Sequence, residues 1–276
     1  MPVYNAQAYL EDSINSILEQ SFKSFELIII NDGSTDNSLD LLGNYSDNRV
    51  QVINSEHDFI KSLNIGMTQA RGQYIARMDA DDIMLPYRLT MQYGYMEAHP
   101  EVDICGGWLE TFGNETATTT MQQSLNQRDI LSTMLLHCPL YHPTVMMKRS
   151  IIDNMPLIGN IRLCYKEDYI YAEDYKLWSD LAMSGYRFAN IPEVLTMYRI
   201  SKTQNTSRYL IQMQQTTIKI QGEYAEFFME KMLEDNESYY NILNEMIDLH
   251  NKDILNFNQL RRILYILGSG LQDKQV

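Results

Sequence analysis

Positive charge is what this chain has least of. In 276 residues, 22 Lys and Arg stand against 36 Asp and Glu, a formal net charge of −14. Nonspecific nucleic-acid binding needs cationic patches that replace phosphate counterions, and docking on an anionic bilayer needs a polybasic surface, so the composition argues against both. Cysteine is nearly absent too. Cys105, Cys138 and Cys164 are odd in number, far apart and without CxxC spacing. They outline neither a disulfide framework nor a zinc site, and a reducing cytoplasm is the expected setting. No apolar run is long enough to span a bilayer and no leader pattern is seen, so membrane association is expected to be peripheral at most, at the inner face of the cytoplasmic membrane. In that setting the sequons at Asn114, Asn205 and Asn236 read as chance matches. Repeats and low-complexity linkers are missing as well.

What is present is an ordinary apolar content, 45%, enough for a sizeable core. The first hundred residues alternate two periodicities. Leu10, Ile14, Ile17 and Leu18 fall at helical spacing within 7–21. Phe25 to Ile30 is a nearly continuous apolar run rich in β-branched residues, the signature of a strand buried on both faces. The turn Asn31 to Asp36 follows, with Ser34 or Thr35 placed to cap a helix through about residue 44. Strands are expected at Arg49–Ile53 and Gln73–Met78, with a helix from Phe59 that ends before Gly72. A further helix is expected between Pro86 and Pro100. Strands alternating with helices predict an α/β fold with a mostly parallel sheet covered on both faces, and ligands in such sheets bind at the carboxyl ends of strands. Between 101 and 200, Val102–Ile104, Trp108–Phe112 and Thr144–Lys148 read as strands. Beyond about 205 the pattern is helical, and Arg261 to Leu267 is amphipathic, ending at Gly268. These apolar helices either complete the monomer or bury a homodimer interface.

The most informative stretch is Tyr74-Ile75-Ala76-Arg77-Met78-Asp79-Ala80-Asp81-Asp82. An apolar run delivers three carboxylates to one turn. Crowded carboxylates need a cation or donors nearby, and oxygen ligands suit a hard divalent ion such as Mg²⁺ or Mn²⁺, which usually keeps positions open for substrate phosphates. A second acidic turn, Asn31-Asp32, is expected to face the same crevice.

Taken in order, Pro2-Val3-Tyr4-Asn5, Asn31 to Asp36, Leu63-Asn64-x-Gly66, Ala70-Arg71-Gly72-x-Tyr74 to Asp82, and Glu173-Asp174 resemble glycosyltransferase family 2, the inverting enzymes of the GT-A fold. The resemblance covers roughly 1–200. It implies a GT-A-type, Rossmann-like domain at 1–204, its nucleotide-binding part about 1–100 and its acceptor part about 101–204, with a helical extension at 205–276. It implies transfer from a nucleotide-diphosphate sugar, UDP-linked, to a hydroxyl of a polysaccharide or lipid-linked oligosaccharide. Asp79 and Asp81 match the family's metal-binding Asp-x-Asp, which with Ala80 lies against the donor. Asp32 matches the aspartate that accepts hydrogen bonds from base or ribose, and Pro2, Val3 and Tyr4 match the opposite wall of that pocket. Arg71 is placed either at the base or phosphate edge or on the surface. Asp82 is either a third ligand or a charge favouring the next helix. Asn64 is expected to fix local backbone. Asp174, beside Glu173, matches the general base, the alternative for both being helix capping.

Some positions stay open. His142 contacts substrate or is structural. Trp108 and Trp178 are sugar-stacking candidates, with core packing favoured for Trp178. Tyr198-Arg199 matches a strand end near the diphosphate, but Ser201 stands where many relatives carry histidine. The family also has an apolar strand directly before Pro-Val-Tyr-Asn, which here is almost absent. The expectation is that a truncated start or another segment accounts for the gap. Two rivals remain: a nucleotide- or sugar-binding module without turnover, and a sugar nucleotidyltransferase, whose glycine-rich phosphate loop is not seen.

Overall fold

The computed structural model describes residues 1–113, 117–201, 209–235, 244, 246–252 and 254–271. All three sequons, at Asn114, Asn205 and Asn236, lie outside the described residues. Three strands, β1 (Pro2–Val3), β2 (Leu27–Asp32) and β3 (Val50–Ser55), form an all-parallel sheet in the order β1-β2-β3. Every residue of β2 is buried, as its unbroken apolar run requires. The connections carry α1 (Leu10–Leu18), α2 (Ser38–Leu42) and α3 (Phe59–Gln69).

A second sheet is mixed. β4 (Tyr74–Ala76), β5 (Ile83–Met84), β6 (Ile104–Gly113), β7 (Thr119–Met121), β8 (Met146–Lys148) and β11 (Phe188–Ile200) run in the order β4-β8-β6-β11-β5, with β7 beside β6. Only β6 and β11 pair in parallel here. The parallel arrangement therefore holds for the first sheet, and antiparallel ladders dominate the second. A short hairpin, β9 (Leu157–Ile158) with β10 (Ile161–Arg162), stands apart. The remaining helices are α4 (Arg88–Ala98), α5 (Gln127–Thr133), α6 (Arg149–Asp153), α7 (Glu173–Met183), α8 (Leu210–Asp235) and α9 (Phe257–Leu271).

Three expectations need correction. Ser34 and Thr35 do not cap a helix. Ser34 Oγ accepts from the Asn5 N–H at 3.2 Å and Thr35 Oγ1 from the Asn5 amide at 3.2 Å, so both tie the loop to residue 5 and α2 starts later. The two strands expected at 102–104 and 108–112 are one, β6, which begins at Ile104 and runs through Gly106 and Gly107. A Cβ at Gly106 would lie 2.3 Å from Asn190 Oδ1 and one at Gly107 2.3 Å from Leu195, so β11 can lie alongside only where side chains are missing. The last helix continues past Gly268 to Leu271.

The core divides in two. One cluster holds α1 and β2 against Met78, Met84, Leu89 and Cys105. The larger gathers α3, α5, α7 and β8, and takes in Ile220, Tyr224, Leu260 and Leu264 from the two last helices. These helices thus complete the core of the main body: Tyr224 Oη donates to Leu131 O at 3.1 Å and the Gln221 amide to Leu136 O at 2.6 Å. No helix among the described residues is long and apolar enough to cross a membrane. Among the described residues β1 pairs with β2 alone and β4 with β8 alone. A cavity of about 410 Å³ lies between the sheets, lined by Ile28, Ile30, Met67, Tyr74 and Ile75 among others.

Candidate active site

The candidate residues fall at two acidic turns, after the carboxyl ends of β2 and β4, and at one acidic helix start. In the first turn, β2 ends in the buried pair Asn31-Asp32. Asn31 Oδ1 accepts from the Ser34 N–H at 3.3 Å, an Asx turn, and Gly33 takes φ +68°. Glycine is required there twice over, because a Cβ would lie 2.9 Å from His57 N. The Asp32 carboxylate is saturated from within. Its Oδ1 accepts from the Asp58 N–H at 2.8 Å and from Ser62 Oγ at 2.7 Å, and its Oδ2 lies 3.0 Å from His57 Nδ1. His57 stacks on Tyr4, ring centroids 3.9 Å apart and planes at 18°. Of the predicted wall, Tyr4 presents its side chain outward, Pro2 contributes a paired strand residue and Val3 points into the core.

The second turn follows β4. Arg77 is buried and forms an ion pair with Asp79, whose carbonyl accepts from Ser13 Oγ at 3.0 Å. Ala80 is half-buried between the two aspartates. Asp82 is fully buried and turned inward: its Oδ1 accepts from the Arg199 N–H at 2.8 Å while its Oδ2 has no partner. A charge favouring the next helix does not describe this, since α4 begins only at Arg88. Burial, then the charge of Asp79, pushes the Asp81 carboxyl up to about 6. Burial, then Asp79 and Asp81, pushes Asp82 up to about 9. The turn therefore holds more negative charge than its protein donors compensate. Arg199 braces it from β11: its Nε donates to Asp81 O at 2.7 Å, and its guanidinium lies over Tyr9 and Phe112.

Glu173 and Asp174 open α7. Asp174 Oδ1 accepts from the Tyr175 N–H at 2.7 Å and its Oδ2 faces the Cys138 thiol at 3.9 Å. Glu173 is buried with Oε2 unpartnered, and burial, then Asp174, raises its carboxyl to about 7. Burial also raises Asp174. The field of Arg77 reaches both, and that of Asp79 reaches Asp174, so the turn after β4 and the start of α7 share one electrostatic environment. Tyr171, just ahead of them, holds a left-handed φ of +71°, a strained conformation.

Several candidates lie outside this cluster. Arg71 is at the opposite end of β2, where its guanidinium pairs with Glu26 at 2.6 Å on the surface. His142 is the exception: buried, with Nε2 2.9 Å from Tyr165 Oη, it lies in the same field, and burial, then the charge of Arg77, holds it well below its ordinary pKa. Trp178 is wholly buried in the core, and Trp108 Nε1 donates to Gln123 O at 3.3 Å. Asn64 fixes distant backbone rather than the local backbone the sequence suggested, accepting from the Cys164 and Tyr165 N–H groups at 2.9 and 2.8 Å. Sequence reasoning missed His57, Arg77 and Arg88. Arg88 is buried and gathers the carbonyls of Pro143 (2.5 Å), Arg77 (2.9 Å) and Val145 (3.3 Å). An arginine inside an apolar pattern is the one signal that pointed to it.

The two sheets, with acidic turns at the strand ends, have the architecture of the GT-A fold. The description "Glycosyl transferase family 2" matches residues 1–155. A Haemophilus influenzae protein named as an uncharacterized glycosyltransferase is 34% identical over 97% of this chain and 84% of its own length. The Escherichia coli protein WfgD, named as a UDP-Glc:alpha-D-GlcNAc-diphosphoundecaprenol beta-1,3-glucosyltransferase, is 26% identical over 75% of this chain and 78% of its own. Among solved structures, Staphylococcus aureus TarS in complex with UDP superposes with a TM-score of 0.59 over 83% of this chain and 64% of that one. At 19% identity that likeness speaks for the fold alone. The chain belongs to glycosyltransferase family 2 and is a glycosyltransferase.

Proposed function

We propose that the enzyme transfers a sugar, with inversion, from a UDP-sugar to a hydroxyl of a polysaccharide or lipid-linked oligosaccharide. The observation that carries this reading is the under-compensated turn at Asp79 to Asp82, which shares its field with the Glu173-Asp174 pair. Tyr4 and the Asp32 turn form the base and ribose side of the donor pocket. Asp79 and Asp81 would hold a divalent cation, Mn²⁺ or Mg²⁺. The fit rests on two hard oxygen donors, the raised Asp81 carboxyl and the orphaned oxygen of Asp82 behind it. Among the described residues no third His, Cys, Asp or Glu converges with them, which leaves the remaining coordination to donor phosphates and water. When bound, such a cation neutralises charge on the departing diphosphate.

Asp174 acts as general base. The acceptor oxygen attacks the anomeric carbon as the bond from that carbon to the diphosphate oxygen breaks, and the hydroxyl proton passes to Asp174. A carboxyl raised toward the working pH suits this task better than an ordinary one. The catalytic residues sit in 1–204, and the helices at 205–276 buttress α5 and α7. An acceptor carried on a lipid would bring the enzyme to the inner face of the cytoplasmic membrane by peripheral contact.

The test is calorimetric binding of UDP and GDP, with and without Mn²⁺, to wild type, Asp81→Ala and Asp174→Asn. We expect metal-dependent UDP binding that Asp81→Ala abolishes. Asp174→Asn should keep binding and lose transfer by roughly 10²- to 10⁴-fold. Failure of wild type to bind either nucleotide under any metal condition would sink the donor-site reading. Unchanged transfer in Asp174→Asn would remove Asp174 as base.

A further inference from the structure

The Asp32 carboxylate has little left to offer a ligand. It is 1% exposed, and Asp58 N, Ser62 Oγ and His57 Nδ1 already occupy its oxygens. His57 is the opposite case. Its side chain is 57% exposed and stacks on Tyr4, itself 44% exposed. Its Nδ1 faces two acceptors, Asp32 Oδ2 at 3.0 Å and Asp32 O at 3.1 Å. Two acceptors on one nitrogen require that Nδ1 carry the hydrogen, and Nε2 is then an acceptor whenever the ring holds a single proton. Among the described residues nothing bonds Nε2, which sits on the solvent side of an aromatic platform at the ends of β1 and β3.

We infer that His57 is the residue that reads the nucleobase, its Nε2 accepting the ring N–H of a uracil- or guanine-type base while Asp32 fixes the tautomer from behind. The inference rests on the donor-site reading above and deepens it. Uracil N3 and guanine N1 carry a hydrogen, whereas cytosine N3 and adenine N1 are bare acceptors. A locked acceptor therefore favours the first pair and leaves the second facing lone pair against lone pair. The Tyr4-His57 stack supplies apolar surface to either kind of base and so contributes affinity without selection.

The experiment is Mn²⁺-supported calorimetry of UDP, CDP and 3-methyluridine diphosphate with wild type, His57→Phe and His57→Gln. His57→Phe keeps an aromatic ring on Tyr4 and removes the acceptor, and His57→Gln restores one. Wild type should bind UDP more tightly than CDP or the methylated analogue by about tenfold or more. His57→Phe should bring the three within about twofold of each other, and His57→Gln should recover part of the preference. Melting temperatures of the variants within about 2 °C of wild type will show that the exposed ring is not needed for folding. Preference for UDP retained in His57→Phe overturns the inference and leaves the donor site standing. Equal binding of UDP and its methylated form by wild type does the same. No binding of any nucleotide by wild type overturns both readings.

Discussion

The two acidic turns of the donor side, after β2 and after β4, are alike in composition and opposite in state. At Asp32 the carboxylate is satisfied by its own protein: a backbone N–H, a hydroxyl and an imidazole surround it. At Asp79 to Asp82 three carboxylates are pressed together with Arg77 and one Arg199 N–H as their main relief, and one buried oxygen is left without a partner. The first arrangement ties Asp32 into its own turn, and the second leaves the charge for which a cation is proposed above.

The sharpest way to break the contrast is the same isosteric change at both turns. Asp32→Asn places an amide hydrogen against a donor and strips a charge from three hydrogen bonds, so it should lower stability by about 2–4 kcal/mol. Asp82→Asn keeps an acceptor for the Arg199 N–H and replaces a carboxyl already protonated near neutral pH, so its denaturation midpoint there should match wild type and should exceed it above about pH 9, where the wild-type carboxyl ionises. Chemical denaturation of the two variants checks both, and equal losses would dissolve the distinction.

A smaller effect follows from pH. A carboxyl whose pKa is raised by folding binds its proton more tightly in the native state, so its contribution to stability is present near the unfolded value of about 4 and is lost as pH rises through the folded value. The folded values are about 6 for Asp81, about 7 for Glu173 and about 9 for Asp82. Metal-free protein should therefore lose stability steadily from about pH 4 to pH 9. Added Mn²⁺ should flatten that slope, because it favours the ionised forms. Melting curves across this range, with and without the ion, provide the check. The smallest effect belongs to Arg71, far from both turns. Arg71→Ala breaks an exposed ion pair with Glu26 and should change stability by under about 1 kcal/mol and leave UDP affinity unaltered.

The contrast also marks how far the sequence could be read. The strand at Leu27–Asp32 and the helix at Phe59–Gln69 were legible, because buried strands and amphipathic helices write their periodicity in consecutive residues. The acidic turns were legible as clusters for the same reason. Their state was not. Whether Asp32 is saturated depends on His57, Asp58 and Ser62, up to 30 residues away, and Asp82 on Arg199, 117 away. The single strand through Gly106 and Gly107 was read as two, because its glycines answer to Asn190 and Leu195 on another strand. Ser34 and Thr35 carry the right chemistry for a helix cap and spend it on Asn5.

Arg88 gives the architecture a sense of time. Its guanidinium joins carbonyls 11, 55 and 57 residues along the chain and the Thr196 hydroxyl 108 away. Contacts of such separation are closed late, after the local helices and hairpins have formed. The acidic turn after β4 is thus fixed only when β11 has docked, and a fragment ending near residue 155 would carry the matched family segment without Thr196, Arg199 or Asp174. The N–H that donates to Asp82 belongs to Arg199 on β11, so the relief of these neighbouring carboxylates is a property of the whole chain and not of their own segment.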